Sequence, residues 1–320
     1  MSNVRRRDFV SRIAAAGLGA AAGGAGADDV TPGPVRQLRR RPYGATGREL
    51  SIIGFGGIVV MNTEQSEAND TVAWAVERGV RYFDVAPSYG NAQERLGPAL
   101  KRYRDRVFLA CKTGQREAAG AQAELEESLR VLQTDHLDLY QLHGLTDPAE
   151  LDTVFGPGGA METFVRARDK GQVLHLGFSA HSVEAALQAM DRFDFASVLF
   201  PFNAVCLRNG GFGAEVLEKA REKGVACLAL KALAWTPWPE GAEKTYPNCW
   251  YQPISDRELA RLALYQVLDQ PVAAVLPPGD PRLFRMAVEL GLERRRLTAE
   301  ERQELFARVE GVEPIFRHEA

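Results

Sequence analysis

The sequence predicts an α/β fold, a (β/α)8 TIM barrel with an N-terminal hairpin cap, and three observations carry that expectation. Eight short apolar runs alternate with amphipathic segments over about 240 residues, the size and rhythm of such a barrel. No Gly-x-Gly-x-x-Gly follows an early run, which argues against a dinucleotide-binding Rossmann domain. Before the first run, Tyr43-Gly44-Ala45-Thr46-Gly47-Arg48-Glu49-Leu50 reads as a turn between two short extended pieces, placed to cap the bottom of the barrel.

Taken in chain order, the first element is an address. Arg6, Arg7 and Phe9 precede a weakly apolar Ala/Gly stretch from Ala14 to Ala27, the arrangement of a twin-arginine signal, and Ala25-Gly26-Ala27 is a small-x-small cleavage site. A signal peptide is therefore expected over 1–27, a polar, Pro-containing linker over 28–40 and the barrel over 41–320. The Gly-rich stretch is too short to span a bilayer, which needs about 20 apolar residues. The expectation is export through the twin-arginine machinery to the periplasm or the exterior of a bacterium, with no stable membrane insertion.

The eight predicted strands are Ile52–Gly57, Arg81–Asp84, Val107–Cys111, Leu137–Leu142, His175–Ser179, Ala196–Phe200, Val225–Leu230 and Val272–Leu276, each rich in Val, Ile, Leu or Phe and bounded by Gly, Pro or charge. Helical periodicity is plainest at Ala121–Leu132, where Leu125, Leu129 and Leu132 share a face, and recurs at Val183–Met190 and Ala214–Lys223. Trp235–Tyr251, with Trp235, Trp238, Tyr246, Trp250 and Tyr251, reads as a long aromatic loop able to act as a lid or substrate wall. Thr298 and Glu301 form a capping box for a C-terminal helix.

Composition narrows the function. The formal net charge of -3 from 39 basic and 42 acidic residues offers no basic surface for nucleic acid. Four cysteines without a Cys-x-x-Cys spacing do not suggest a zinc ribbon or dithiol motif. Cys111 and Cys227 sit in apolar runs and read as buried hydrophobes, while Cys206 and Cys249 fall in predicted loops, where pairing stays open.

Barrel enzymes carry their chemistry at the C-terminal ends of the strands. There the second run ends in Asp84 with Tyr89 five residues on, the third in Lys112 and the fourth in His143. A tyrosine near pKa 10 is a poor proton shuttle at neutral pH, and an adjacent ammonium lowers that pKa. Lys112 is the candidate ammonium, Asp84 its counter-charge, and His143 a donor that orients a carbonyl oxygen beside the Tyr89 hydroxyl. Together they describe a positioned general acid.

These stretches closely resemble the aldo-keto reductase family. The matching segments are Phe83-Asp84-Val85-Ala86-Pro87-Ser88-Tyr89-Gly90, Leu109-Ala110-Cys111-Lys112-Thr113 and Leu137-Asp138-Leu139-Tyr140-Gln141-Leu142-His143, with the entry hairpin matching through Thr46-Gly47 and Ile53-Gly54-Phe55-Gly56-Gly57. The resemblance implies a barrel that binds NADP or NAD, with NADP slightly preferred, and a catalytic tetrad of Asp84, Tyr89, Lys112 and His143. It further implies cofactor contacts at Ser179, Asn203, Lys231, Gly279, Arg282 and Arg285. The second half departs from the family pattern: Ala180, Leu199 and Val288 replace usual nicotinamide- and adenine-binding side chains. The expected activity is interconversion of an aldehyde or ketone with an alcohol. The alternative is an exported barrel serving as a binding or regulatory module, with weakened cofactor binding and little turnover.

Overall fold

The computed structural model describes residues 36–318. The expected twin-arginine signal peptide over 1–27 and most of the expected linker lie outside those residues. The barrel unit begins slightly before residue 41, because Leu38 is buried and its backbone N–H donates to the Arg78 carbonyl.

The hairpin comes first, with β1 (Arg40–Pro42) antiparallel to β2 (Glu49–Ser51). Tyr43 follows β1, and its fully buried hydroxyl donates to Ser197 Oγ at 2.7 Å, so the ring plugs the barrel floor. The Arg41 guanidinium donates to the carbonyls of Leu268, Gln270 and Val272, groups otherwise left open after a helix end.

Eight parallel strands form the wall: β3 (Phe55–Gly56), β4 (Tyr82–Asp84), β5 (Phe108–Thr113), β6 (Leu137–Leu145), β7 (Val173–Ala180), β8 (Ser197–Pro201), β9 (Ala226–Leu230) and β12 (Val272–Leu276). Their spatial order follows chain order, and the Ile53–Val275 bridge joins the last strand back to the first. At that seam Gly54 N–H donates to Val275 O and Val275 N–H to Ile52 O. A side chain at Gly54 would meet the Tyr82 ring at 2.5 Å, so glycine is needed where the seam packs on the core. All eight predicted strands are present. The first is shorter in ladder terms than expected, because Ile53 and Gly54 serve the seam instead.

The surrounding helices are α1 (Gln65–Glu77), α2 (Ala92–Leu100), α3 (Ala118–Leu132), α4 (Glu150–Phe155), α5 (Ala160–Asp169), α6 (Val183–Arg192), α7 (Ala204–Asn209), α8 (Ala214–Lys223), α9 (Arg257–Leu268), α10 (Pro281–Leu292) and α11 (Ala299–Val309). The Thr298–Glu301 capping box at α11 is formed as the sequence predicts. Two expectations change. Cys206 lies in α7 rather than a loop, because Asn203 caps that helix by accepting from Cys206 N–H at 2.8 Å. The Trp235–Tyr251 segment is not loop throughout: β10 (Ala234–Pro237) pairs with β11 (Tyr251–Pro253), leaving only its tip irregular. Cys111, Cys206, Cys227 and Cys249 are all buried and free, so Cys206 and Cys249 do not pair. Among the described residues no helix is long and apolar enough to cross a membrane.

Apolar side chains fill two compartments. One lies between strands and helices. The other is built from alternate strand residues such as Tyr82, Ala110, Leu139, Leu199, Leu228 and Leu276. The period of two along a strand sends every second residue inward. Continuing that parity upward from Tyr82, Ala110 and Leu139 delivers Asp84, Lys112, Gln141 and His143 to the mouth.

Candidate active site

At the mouth, the buried Asp84 carboxylate collects three donors. Lys112 Nζ donates to Oδ1, while the Tyr82 hydroxyl (3.0 Å) and Gln141 Nε2 (2.9 Å) donate to Oδ2. Lys112 is equally buried and also reaches the Val85 carbonyl. Burial is the largest single influence and opposes its charge, but Asp84, with smaller help from Tyr89 and Cys111, outweighs it and holds the ammonium pKa above the ordinary lysine value. The Lys112 ammonium is therefore a fixed positive charge at the mouth.

Tyr89 stands above it in the β4–α2 connection. The Lys112 ammonium lies 5.1 Å from the Tyr89 ring centroid, and the His143 ring meets that ring edge-on at 5.7 Å. The phenol pKa corrects the expectation from sequence. Burial is the largest influence and raises it; Lys112 pulls it down, Asp84 pushes it up, and the net shift is upward. Tyr89 is therefore kept as a neutral phenol rather than a stored phenolate.

His143 is kept neutral as well. Burial, then Lys112, Arg116 and Lys231, hold its imidazole down to about 3. Ser88 Oγ lies 3.5 Å from Nδ1, and Arg116 fixes the backbone by donating to the His143 carbonyl at 2.9 Å. The tetrad named from the sequence is thus brought together. Tyr82 and Gln141, which complete it around Asp84, were missed there. Their signal was the same inward parity that selected Asp84 and His143, applied two residues earlier on each strand.

The six expected cofactor contacts fare differently. Asp84, Tyr89, Lys231 and Gly279 line one cavity, together with Leu199, Leu230, Leu276, Trp250 and Tyr251. Ser179 and Asn203 are buried at their strand ends with their polar atoms already engaged. Ser179 Oγ accepts from Gly144 N–H at 2.8 Å, and Asn203 caps α7. Arg282 is held by Asp280, its Nε at 3.0 Å from Oδ1 and its NH2 at 2.9 Å from Oδ2, and lies over Tyr246. Arg285 lies over Trp74, its guanidinium carbon 4.6 Å from the ring centroid. Leu199, where the family pattern has an amide, faces the cavity as a plain apolar wall. The hairpin tip reaches the β12–α10 turn, Asn248 Nδ2 donating to Gly279 O and Arg282 to Thr245 O.

Lys231 follows β9 in a left-handed backbone conformation, φ 60°, uncommon for a side-chain-bearing residue. Among the described residues it forms no ion pair with a carboxylate. Its partner is His181 Nε2 at 2.9 Å, and the Trp250 and Phe316 rings lie 5.6 and 5.7 Å away.

Comparison with known proteins agrees with this geometry. The sequence model described as "Aldo/keto reductase family" matches residues 52–249. An uncharacterized oxidoreductase of Bacillus subtilis, YqkF, is 26% identical over 82% of this chain and 94% of its own length. L-galactose dehydrogenase of Arabidopsis thaliana is 26% identical over 62% of this chain and 66% of its own. Among solved structures, the holo form of aldo-keto reductase AKR11C1 from Bacillus halodurans superposes with a TM-score of 0.68 at 26% identity, covering 88% of this chain and 99% of that one.

Proposed function

Because the chain belongs to the aldo/keto reductase family, and is an oxidoreductase of that type, we propose that it interconverts an aldehyde or ketone with an alcohol using NADP or NAD, with Tyr89 as general acid. The observation that carries the reading is the convergence of Asp84, Lys112, Tyr89 and His143 on one edge of the mouth. The cavity fits a nicotinamide cofactor in that its walls are apolar and aromatic, and beside Asp84 the Gln141 Oε1 is a buried acceptor with no partner among the described residues. The cofactor, when bound, supplies or accepts hydride at carbon.

The protein's part is the proton. A substrate carbonyl oxygen sits between the Tyr89 hydroxyl and the neutral His143 imidazole. With Nδ1 accepting from Ser88, the His143 Nε2–H is free to donate to that oxygen and fix its direction. As negative charge grows on the oxygen, Tyr89 passes its proton across. The Lys112 ammonium stabilises the phenolate left behind, and Asp84 holds Lys112 in place. In the reverse direction the phenolate takes the alcohol proton.

Tyr89→Phe is expected to lower carbonyl reduction by roughly 10²–10⁴-fold while nucleotide binding, followed by fluorescence, is retained. Unchanged turnover would remove Tyr89 from the mechanism. The rival reading of a barrel with little turnover rests on Ala180, Leu199 and Val288, and it requires that neither NADPH nor NADH binds in the same titration.

Export rests on Arg6, Arg7, Phe9 and the Ala25-Gly26-Ala27 site. The twin-arginine route carries folded proteins, so a cofactor loaded before export would travel bound. Replacing Arg6 and Arg7 by lysine should leave the protein in the cytoplasmic fraction; normal export of that variant contradicts the assignment.

A further inference from the structure

Lys231 is the charged side chain of the cavity lining that the proton-transfer scheme does not use. Its ammonium donates to His181 Nε2 at 2.9 Å, which places the imidazole proton on Nδ1. His181 is itself held neutral, burial first and Lys231 second driving its pKa down to about 3. Trp250 and Phe316 enclose the ammonium, and Phe316 is fixed by stacking between His181 (5.3 Å, 11°) and Phe212 (5.1 Å, 17°). No carboxylate pairs with it among the described residues. Lys231 is half-buried, and desolvation of a cation that has no counter-charge lowers the lysine pKa to about 7. The left-handed backbone at Lys231 adds local strain of the kind found at ligand sites. The remaining open side is the cavity shared with Tyr89, and the Lys231 charge is felt at His143.

We propose that Lys231, oriented by His181, binds a carboxylate carried by the substrate, so that the preferred substrates are aldehydes or ketones bearing an acid group. This rests on the reading of Tyr89 as the proton donor to the carbonyl end. A carboxylate suits the geometry better than a phosphate. One of the three ammonium N–H groups is held by His181, which leaves two between aromatic walls for the two oxygens of a carboxylate. The N-terminus of α10, which follows the cavity residue Gly279, is already capped by Asp280.

The test compares 4-carboxybenzaldehyde with its methyl ester as substrates, and 4-carboxybenzyl alcohol with its methyl ester as binding probes measured calorimetrically without nucleotide. The wild type should favour the acid by about 10- to 100-fold in kcat/KM, the worth of one charge-assisted hydrogen bond. Lys231→Met should bring the acid-to-ester ratio near one, and Lys231→Arg should restore part of it. Calorimetry should show the acid probe binding to wild type and lost in Lys231→Met, with thermal melting confirming that the variant folds. If no carbonyl is reduced but acid binding still depends on Lys231, the anion subsite stands and the reductase reading fails. A wild type that treats acid and ester alike overturns the subsite. So does a Lys231→Met variant that weakens NADPH or NADH binding while the acid-to-ester ratio is unchanged, since that marks a cofactor phosphate contact.

Discussion

At the ends of β4, β5 and β6 a carboxylate receives three donors and a lysine sits in a complete ion pair. At the ends of β8, β9 and β12 stand Leu199, an ammonium with no carboxylate, and a Pro-Gly turn. At the first edge the charges are balanced and the geometry is locked by the sheet. The second is apolar, enclosed by aromatic rings and short of one negative charge. The difference separates two tasks. Proton transfer needs groups fixed before the substrate arrives, whereas recognition leaves groups whose partners the ligand supplies.

The sharpest way to break the first edge is Lys112→Met. It strands the Asp84 charge in the interior, and breaking a buried pair in this way costs about 3–5 kcal/mol. Urea unfolding should show that loss, and carbonyl reduction should fall with it. Adding Asp84→Leu to Lys112→Met should recover much of the stability and none of the activity, since both buried charges are then gone. If the single variant is as stable as wild type, the pair is not the fixed point argued above.

A pH series separates the edges differently. His143 and His181 both have folded pKa values of about 3, below the ordinary histidine value of about 6.5. Between those pH values the unfolded chain binds more protons, so their contribution is present above pH about 6.5 and is lost as pH falls toward 3. Stability measured from pH 7 to 4 should decline, and less steeply in the His143→Asn, His181→Asn double variant. Identical slopes would mean that neither imidazole is held neutral by the fold.

The smallest expected effect lies at the β12–α10 turn. Asp280 occupies Arg282, so a phosphate arriving at that arginine meets a carboxylate already bound. Asp280→Asn keeps a capping side chain and removes the charge. The affinity for NADPH relative to NADH should then rise by roughly two- to five-fold, the scale of an exposed ion pair. No change in that ratio would separate Arg282 from coenzyme choice.

The barrel and the first edge were legible in the sequence because both follow from short-range regularities. Apolar runs mark strands, and period-two parity carries Asp84, Lys112 and His143 to one end. The rest depended on contacts that no local pattern encodes. That burial outweighs Lys112 at Tyr89 is a sum over the surrounding core. Asn203 is an amide just past a strand in the sequence, and only the fold shows that its oxygen also caps α7. His181 and Lys231 are fifty residues apart, and Phe316 joins them from beyond α11; only the closed barrel brings the three together.

The Ile53–Val275 seam has a kinetic consequence. A barrel whose first strand is held by its last cannot close until both ends of the sheet are available, and such long-range pairing is slow to form. The Asp84–Lys112 pair can assemble from neighbouring strands well before that, but the cavity wall of Lys231, Trp250 and Phe316 cannot. A chain halted partway through folding would hold a charged pair with no pocket to use it in.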